Sequence, residues 1–191
     1  MEKCKNKSDE ELVALTLRDQ DFLLCIIKNY ESKLLKYIIR ISSVSLEEAE
    51  DILQEVFIKV YYNLKSFDQS LKFSSWIYRI THNQVISNFR KSKARAETVD
   101  LDINNEIIGN IVSEFDVKVE IDNKIFEKKI NSILKAMDKK YREVLFLYLL
   151  EEKSSQEISD ILKKRIGTVY SLISRGKQII KKELEKKDEK H

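Results

Sequence analysis

Not one proline interrupts the 191 residues of this chain, and only three glycines do. Tight hairpin turns usually need glycine, so an all-β fold is unattractive, while the lack of proline lets long helices run unbroken. Charged residues make up 35% of the chain, and helices carry such residues on their solvent faces. The expected fold class is all-α.

The hydrophobic spacing supports this. Asp9 to about Ile41 reads as two helices, opened by Leu12, Leu15 and the run Phe22–Ile27 and continued by Leu34, Leu35, Ile38 and Ile39. Ser45 and Glu48 make a capping box for the next helix. Ala49, Ile52, Leu53, Val56, Phe57, Val60, Tyr61 and Leu64 then recur at three- and four-residue spacing, as one buried face. The opposite face carries Asp51, Gln54, Glu55 and Ile58, which is either plain solvent surface or a partner's footprint. After the loop KSFDQSLK a helix is expected from about Phe73 to Arg95. Its first half is aromatic and apolar (Phe73, Trp76, Ile77, Tyr78, Ile80). Its second half is polar and basic (Asn83, Gln84, Ser87, Asn88, Arg90, Lys91, Lys93, Arg95). In that first half Trp76 is expected in the core rather than as a stacking platform. His82 is read equally as a DNA contact or a plain surface residue.

Residues 97–119 look like a linker; Val117, Val119 and Ile121 alternate briefly, but nothing supplies a partner strand. Helical periodicity resumes with Ile125, Phe126, Ile130, Ile133, Leu134 and Met137. Tyr141–Leu150 reads as an apolar helix. Ser154 and Glu157 form a second capping box opening a helix over Ser155–Leu162, a turn follows at Lys163–Arg165, and a last helix starts near Ile166. Two short helices around a tight turn, the second one basic, make a helix-turn-helix pattern. An ordinary helical hairpin shares that outline; the basic turn and the basic end of the last helix favour DNA.

The net charge of +3 hides a strong segregation. Gln69–Ala96 holds six basic residues and no acid, Glu97–Glu127 nine acids against Lys118 and Lys124, and Lys163–His191 ten Lys or Arg against four acids. Solvated helix faces explain any single run, but the alternation implies two polyanion-binding patches flanking an acidic connector. No apolar stretch is long enough to span a membrane, and MEKCKNKSDEELV lacks the apolar centre of a signal peptide. Cys4 and Cys25 fit no paired metal or redox spacing, so two reduced, cytosolic thiols are expected. His82 and His191 are too few and too scattered for a metal site or a triad. No phosphate loop, metal spacing or nucleophile–base pair is present, so neither catalysis nor a cofactor is expected.

Taken together and in order, EAEDILQEVFIKVYYNLKSFD, FSSWIYRITHNQVISNFRKSKAR and YREVLFLYLLEEKSSQEISDILKKRIGTVYSLISRGKQIIKKEL resemble the extracytoplasmic-function (ECF) group of bacterial sigma factors. The resemblance covers residues 9–95 and 128–186. It implies a sigma domain two over residues 1–96, an acidic linker over 97–127 and a sigma domain four over 128–191. The first stretch would dock on core RNA polymerase through Asp51, Gln54, Glu55 and Ile58. The second would melt and read the promoter −10 element, with Asn83 at a base, Ser87 beside it, and Arg79, Arg90, Lys91, Lys93 and Arg95 on the backbone. The third would read the −35 duplex through Thr168, Tyr170, Ser171, Ser174 and Arg175, with Lys177 nearby. Val169, Leu172 or Ile173, and Ile180 would pack inward, while Lys163, Lys164 and Arg165 hold phosphate. The family pattern usually has an acid where Ser87 stands, Gly at Lys163, and basic residues at Tyr170 and Leu172. The resemblance further implies a cytoplasmic protein, monomeric when free, with no small-molecule substrate and under an anti-sigma factor that in the family is often membrane-bound. Two other classes stay open at this point: a helix-turn-helix regulator with a ligand-sensing N-terminal domain, and a helical adaptor that binds only proteins.

Overall fold

The computed structural model describes residues 2–4, 6–42, 44–96, 130–134 and 136–188, and among them all regular structure is helical. The chain divides into two compact units, Met1–Ile108 and Gly109–His191. The expected linker, residues 97–127, lies outside the described residues, as do the Val117–Ile121 alternation and Ile125 and Phe126.

The first unit contains α1 (Asp9–Thr16), α2 (Leu23–Ser42), α3 (Leu46–Asn63) and α4 (Phe73–Ala96). The Ser45–Glu48 capping box forms as expected: Ser45 Oγ accepts from the Glu48 amide at 3.2 Å, and Glu48 Oε2 accepts from the Ser45 amide at 3.1 Å. Ser8 and Glu11 cap α1 in the same way, a signature that the sequence reading passed over. Such a cap is worth about 1 kcal/mol. The helices bury Leu12 and Val13 of α1, Ile26, Leu34, Tyr37 and Ile38 of α2, Ala49, Ile52, Val56 and Val60 of α3, and Phe73, Ile77, Tyr78 and Val85 of α4. Tyr61 departs from the expectation: at the edge of the apolar stripe it is exposed and stacks edge-on to Tyr62 at 5.4 Å.

Trp76 is buried, as expected. Its ring lies 5.2 Å from that of Phe67, in the loop before α4, and 5.6 Å from that of Phe73. Tyr30 of α2 extends this cluster, edge-on to Phe73 at 5.7 Å, and donates its hydroxyl proton to Asp9 at the start of α1. Burial and the Asp9 carboxylate push the Tyr30 hydroxyl far up, which keeps it a donor. One aromatic group therefore links α1, α2, the loop and the root of α4.

The cysteines correct the expectation of two free thiols. Cys4, in a short 3-10 helix over Glu2–Cys4, and Cys25, in the first turn of α2, are joined as a disulfide with Cα atoms 5.5 Å apart. Spacing rules recognise local motifs, whereas this pair is 21 residues apart and is brought together by the return of α2 past α1.

The second unit contains a helical turn over 130–134 (α5), then α6 (Lys139–Leu149), α7 (Ser155–Leu162) and α8 (Ile166–Asp188). Asp138 caps α6, accepting from the Lys140 amide at 3.1 Å, and this bond holds its carboxyl below the usual range. The Ser154–Glu157 box opens α7 at the expected residue. Ile130, Ile133, Leu134 and Met137 are buried with Val144, Leu145, Phe146 and Leu147 of α6, Ile158 and Ile161 of α7, and Val169, Ile173 and Ile180 of α8. Of the Leu172–Ile173 alternatives, Ile173 is the buried one. Gly176 lets α8 approach α6 closely: a Cβ there would lie 2.6 Å from Leu145 Cδ1.

Candidate nucleic-acid and polymerase interfaces

Asp51, Gln54, Glu55 and Ile58 are all exposed along α3, with Ile58 56% exposed. Tyr62, one turn beyond Ile58 and 76% exposed, prolongs this stripe. Its signal was available in the i, i+4 spacing from Ile58, but Tyr62 was not singled out from the sequence. Glu55 is not an isolated surface acid. Gln84 of α4, only 1% exposed, donates its amide to Glu55 and accepts at its carbonyl from the Lys59 ammonium. Sequence reasoning placed Gln84 with the polar half of α4; the structure turns it inward to tie α4 to the α3 stripe.

On α4, Arg79, Asn83, Ser87 and Arg90 follow one another at four, four and three residues, so they share one face. Asn83, Arg90, Lys91 and Lys93 are exposed, while Arg79 and Ser87 are half-buried. The side chain of Arg95 lies outside the described residues. His82 is half-buried, with Nδ1 3.2 Å from the hydroxyl of Tyr37, so it serves at least partly as a packing partner. Phe89, 61% exposed between Asn88 and Arg90, is an apolar ring on the basic half of the helix that the sequence reading did not single out. In the loop before α4, Asp68 accepts from the Ser70 amide at 2.9 Å, and that bond, with Arg79 contributing less, holds its carboxyl low.

In the second unit the turn between α7 and α8 is built on Lys163, at φ 53° and ψ 40°, the left-handed conformation that favours glycine. Ser159 secures the turn. Its carbonyl accepts from the Lys164 amide at 3.3 Å, and its hydroxyl donates to the Lys164 carbonyl at 2.6 Å. The turn aims Arg165 and the start of α8 outward. Two rows of candidates then separate. Thr168, Ser171 and Arg175, all exposed, recur at three and four residues and point away from the buried row Val169–Ile173–Gly176–Ile180. Tyr170, Ser174 and Lys177 run along the flank, with Tyr170 60% exposed. Lys177 donates to the Tyr148 hydroxyl at 3.0 Å, with its ammonium 4.3 Å from the centre of that ring, so it is anchored to α6. The Ser171 hydroxyl is turned back to the Gly167 carbonyl at 2.9 Å. Lys164 is half-buried.

The two units match two family models in chain order: Sigma-70 region 2 over residues 26–95 and Sigma-70, region 4 over residues 127–180. Among curated relatives, the ECF RNA polymerase sigma factor SigW of Bacillus subtilis is 38% identical over 175 residues, covering 87% of this chain and 90% of that protein. The ECF RNA polymerase sigma factor SigM of the same organism is 30% identical, over 70% of this chain and 77% of that protein. Among solved structures, CnrH in complex with the cytosolic domain of CnrY superposes with a TM-score of 0.66 at 18% identity, over 94% of this chain and 98% of that one. RpoE of Bartonella quintana, solved with the anti-sigma factor NepR, gives a TM-score of 0.64 at 21% identity, over 89% and 98%. The helix-turn-helix regulator with a sensor domain and the protein-only adaptor fall away, because region 2 and region 4 stand together over most of the chain: this protein belongs to the ECF sigma factors of the sigma-70 family.

Proposed function

We propose that α3 docks on core RNA polymerase, that α4 and the loop before it open and read the −10 element, and that α8 reads the −35 element. As an ECF sigma factor the chain binds core polymerase and directs it to promoters; it is an initiation factor, and phosphodiester synthesis belongs to the polymerase. The observation that carries the assignment of surfaces is the exposed stripe Asp51–Glu55–Ile58–Tyr62, in which acids provide steering toward a basic partner and Ile58 and Tyr62 provide apolar contact.

The α4 face suits single-stranded DNA. Its exposed cations suit phosphates, Asn83 can both donate to and accept from a base edge, and Phe89 offers a ring for stacking. On α8, Arg175 is the residue suited to a bidentate bond to guanine, worth about 1–3 kcal/mol of discrimination. Lys164 and Arg165, at the turn, hold phosphate and add affinity without sequence choice. The linker 97–127 spaces the two DNA-reading units. No helix among the described residues is long and apolar enough to cross a membrane; placement in the cytoplasm follows from work with the polymerase. Control by an anti-sigma factor is part of the proposal, supported by the structural neighbour solved with NepR.

The test compares Arg175→Ala with Lys164→Ala in holoenzyme binding to a promoter and to a copy with a scrambled −35 element. Arg175→Ala should shrink the preference for the true promoter by roughly 5- to 100-fold. Lys164→Ala should weaken both DNAs alike and lower the salt slope by about 0.9. Unchanged preference in Arg175→Ala would remove α8 as the reader.

A further inference from the structure

The Cys4–Cys25 bond involves none of the residues proposed for promoter reading or polymerase docking, and it joins the N-terminal turn to the first turn of α2. A disulfide in a reducing compartment is typically transient or redox-sensing rather than a permanent staple. We propose that Cys4 and Cys25 are a reversible thiol redox site, oxidised by hydroperoxides, that tightens the α1–α2 edge of the promoter-opening unit. The reversibility rests on the cytoplasmic placement argued above; the pairing itself does not.

The exposure of the two residues orders the chemistry. Cys4 is half-buried and meets the oxidant first, whereas Cys25 is 3% exposed and serves as the resolving thiol. The Cys4 thiolate attacks the hydroperoxide O–O bond, which releases an alcohol (water, from hydrogen peroxide) and leaves a sulfenic acid. The Cys25 thiol then displaces the sulfenic hydroxyl as water and forms the S–S bond. Two thiols and one hydroperoxide thus give one disulfide, one alcohol and one water. Thiol–disulfide exchange with a dithiol returns both protons and both electrons.

What the bond tightens is visible in the packing. Residues 2–4 are tied to α2 at Cys25, and α2 grips α1 again at Tyr30, whose hydroxyl donates to Asp9. The Tyr30 ring abuts Phe73, the first residue of α4, and Phe73 touches Phe67 and Trp76. In the reduced chain α1 keeps the burial of Leu12 and Val13 and the Asp9–Tyr30 bond, but loses the covalent closure of the segment between the two cysteines.

Reduced full-length protein is treated with one equivalent of hydrogen peroxide, alkylated with iodoacetamide and weighed intact, and its melting is followed with and without a dithiol reductant. The expected result is two alkyl groups before peroxide and none after, a monomer on non-reducing gels, and an upward melting shift of about 10 °C on oxidation that dithiol reverses. Cys4→Ser should keep one alkylatable thiol and melt like the reduced wild type under all conditions. Two alkyl groups on peroxide-treated wild type, a disulfide-linked dimer, or a melting curve indifferent to reductant would each overturn the proposal. Wild type alone decides the matter if Cys4→Ser does not fold, and none of these readouts depends on promoter activity.

Discussion

Lys163 stands where the helix-turn-helix turn demands a left-handed residue, and its replacement by glycine should make the second unit more stable. It is one of three non-glycine residues at positive φ among the described residues, with Asn6 and Glu152. The left-handed region costs a residue with a Cβ roughly 1–2 kcal/mol. Glycine gives back about 0.4–1 kcal/mol through its larger unfolded-state entropy. The turn's hydrogen bonds, Lys163 amide to Ser159 carbonyl and Ser159 hydroxyl to Lys164 carbonyl, involve no Lys163 side-chain atom and survive the change. The balance is a gain of roughly 0.5–1 kcal/mol, or about two- to fivefold more hydrogen-exchange protection of the slowest α6 and α8 amides. The Lys163→Gly chain should also show a salt slope of promoter binding lower by about 0.9 if Lys163 holds a phosphate. Unchanged or reduced protection would refute the reasoning, since it would mean that the left-handed turn is unstrained or that the lysine stem stabilises it by an equal amount.

Gln84→Met should weaken core-polymerase binding roughly two- to tenfold in a fluorescence titration, because the amide that bonds both Glu55 and Lys59 is lost while the buried volume is kept; an unchanged Kd would show that Glu55 needs no support. Ile58→Asp should cost the holoenzyme about 1–2 kcal/mol, the burial of roughly half an isoleucine side chain, with no change in the melting temperature of the free chain, where Ile58 is already solvated. Glu143 is buried in α6, and that burial raises its carboxyl above the usual range despite the Lys139 ammonium 3.7 Å away. A raised folded value means that its favourable contribution is complete below the ordinary carboxylate range and is lost as pH rises through the folded value. Glu143→Gln should therefore raise the melting temperature of the second unit at pH 7 and leave it nearly unchanged at pH 4; the opposite ordering would show the ion pair outweighing burial.

Most of the helices were legible because their signals are local. The Ser45–Glu48 and Ser154–Glu157 boxes marked helix starts to the residue, and three- and four-residue spacing identified Val56, Val60, Val169 and Ile180 as core. What escaped depends on tertiary contacts. Cys4 and Cys25 meet only through the packing of α1 on α2, and Gln84 is turned inward only because Glu55 and Lys59 of α3 lie opposite. Spacing put Tyr61 on the apolar stripe, yet the position of α3 against its neighbours leaves it exposed beside Tyr62. On α8 the candidates share one basic helix, yet Lys177 is drawn to Tyr148 by a hydroxyl 29 residues away. Position on the helix therefore supports Arg175 as a candidate for DNA contact more firmly than charge does.

The central claim is that α4 and α8 act together, in one polymerase-bound chain, as the readers of two promoter elements. Run-off transcription by purified core polymerase and this chain, on a library randomised around the transcription start, tests it most directly. The account predicts defined transcripts whose templates share two conserved blocks, with selection at the −35 block relaxed by Arg175→Ala and selection at the −10 block relaxed by Asn83→Ala. Transcripts without any shared block, or specific duplex binding by the free chain with no stimulation of the polymerase, would contradict it.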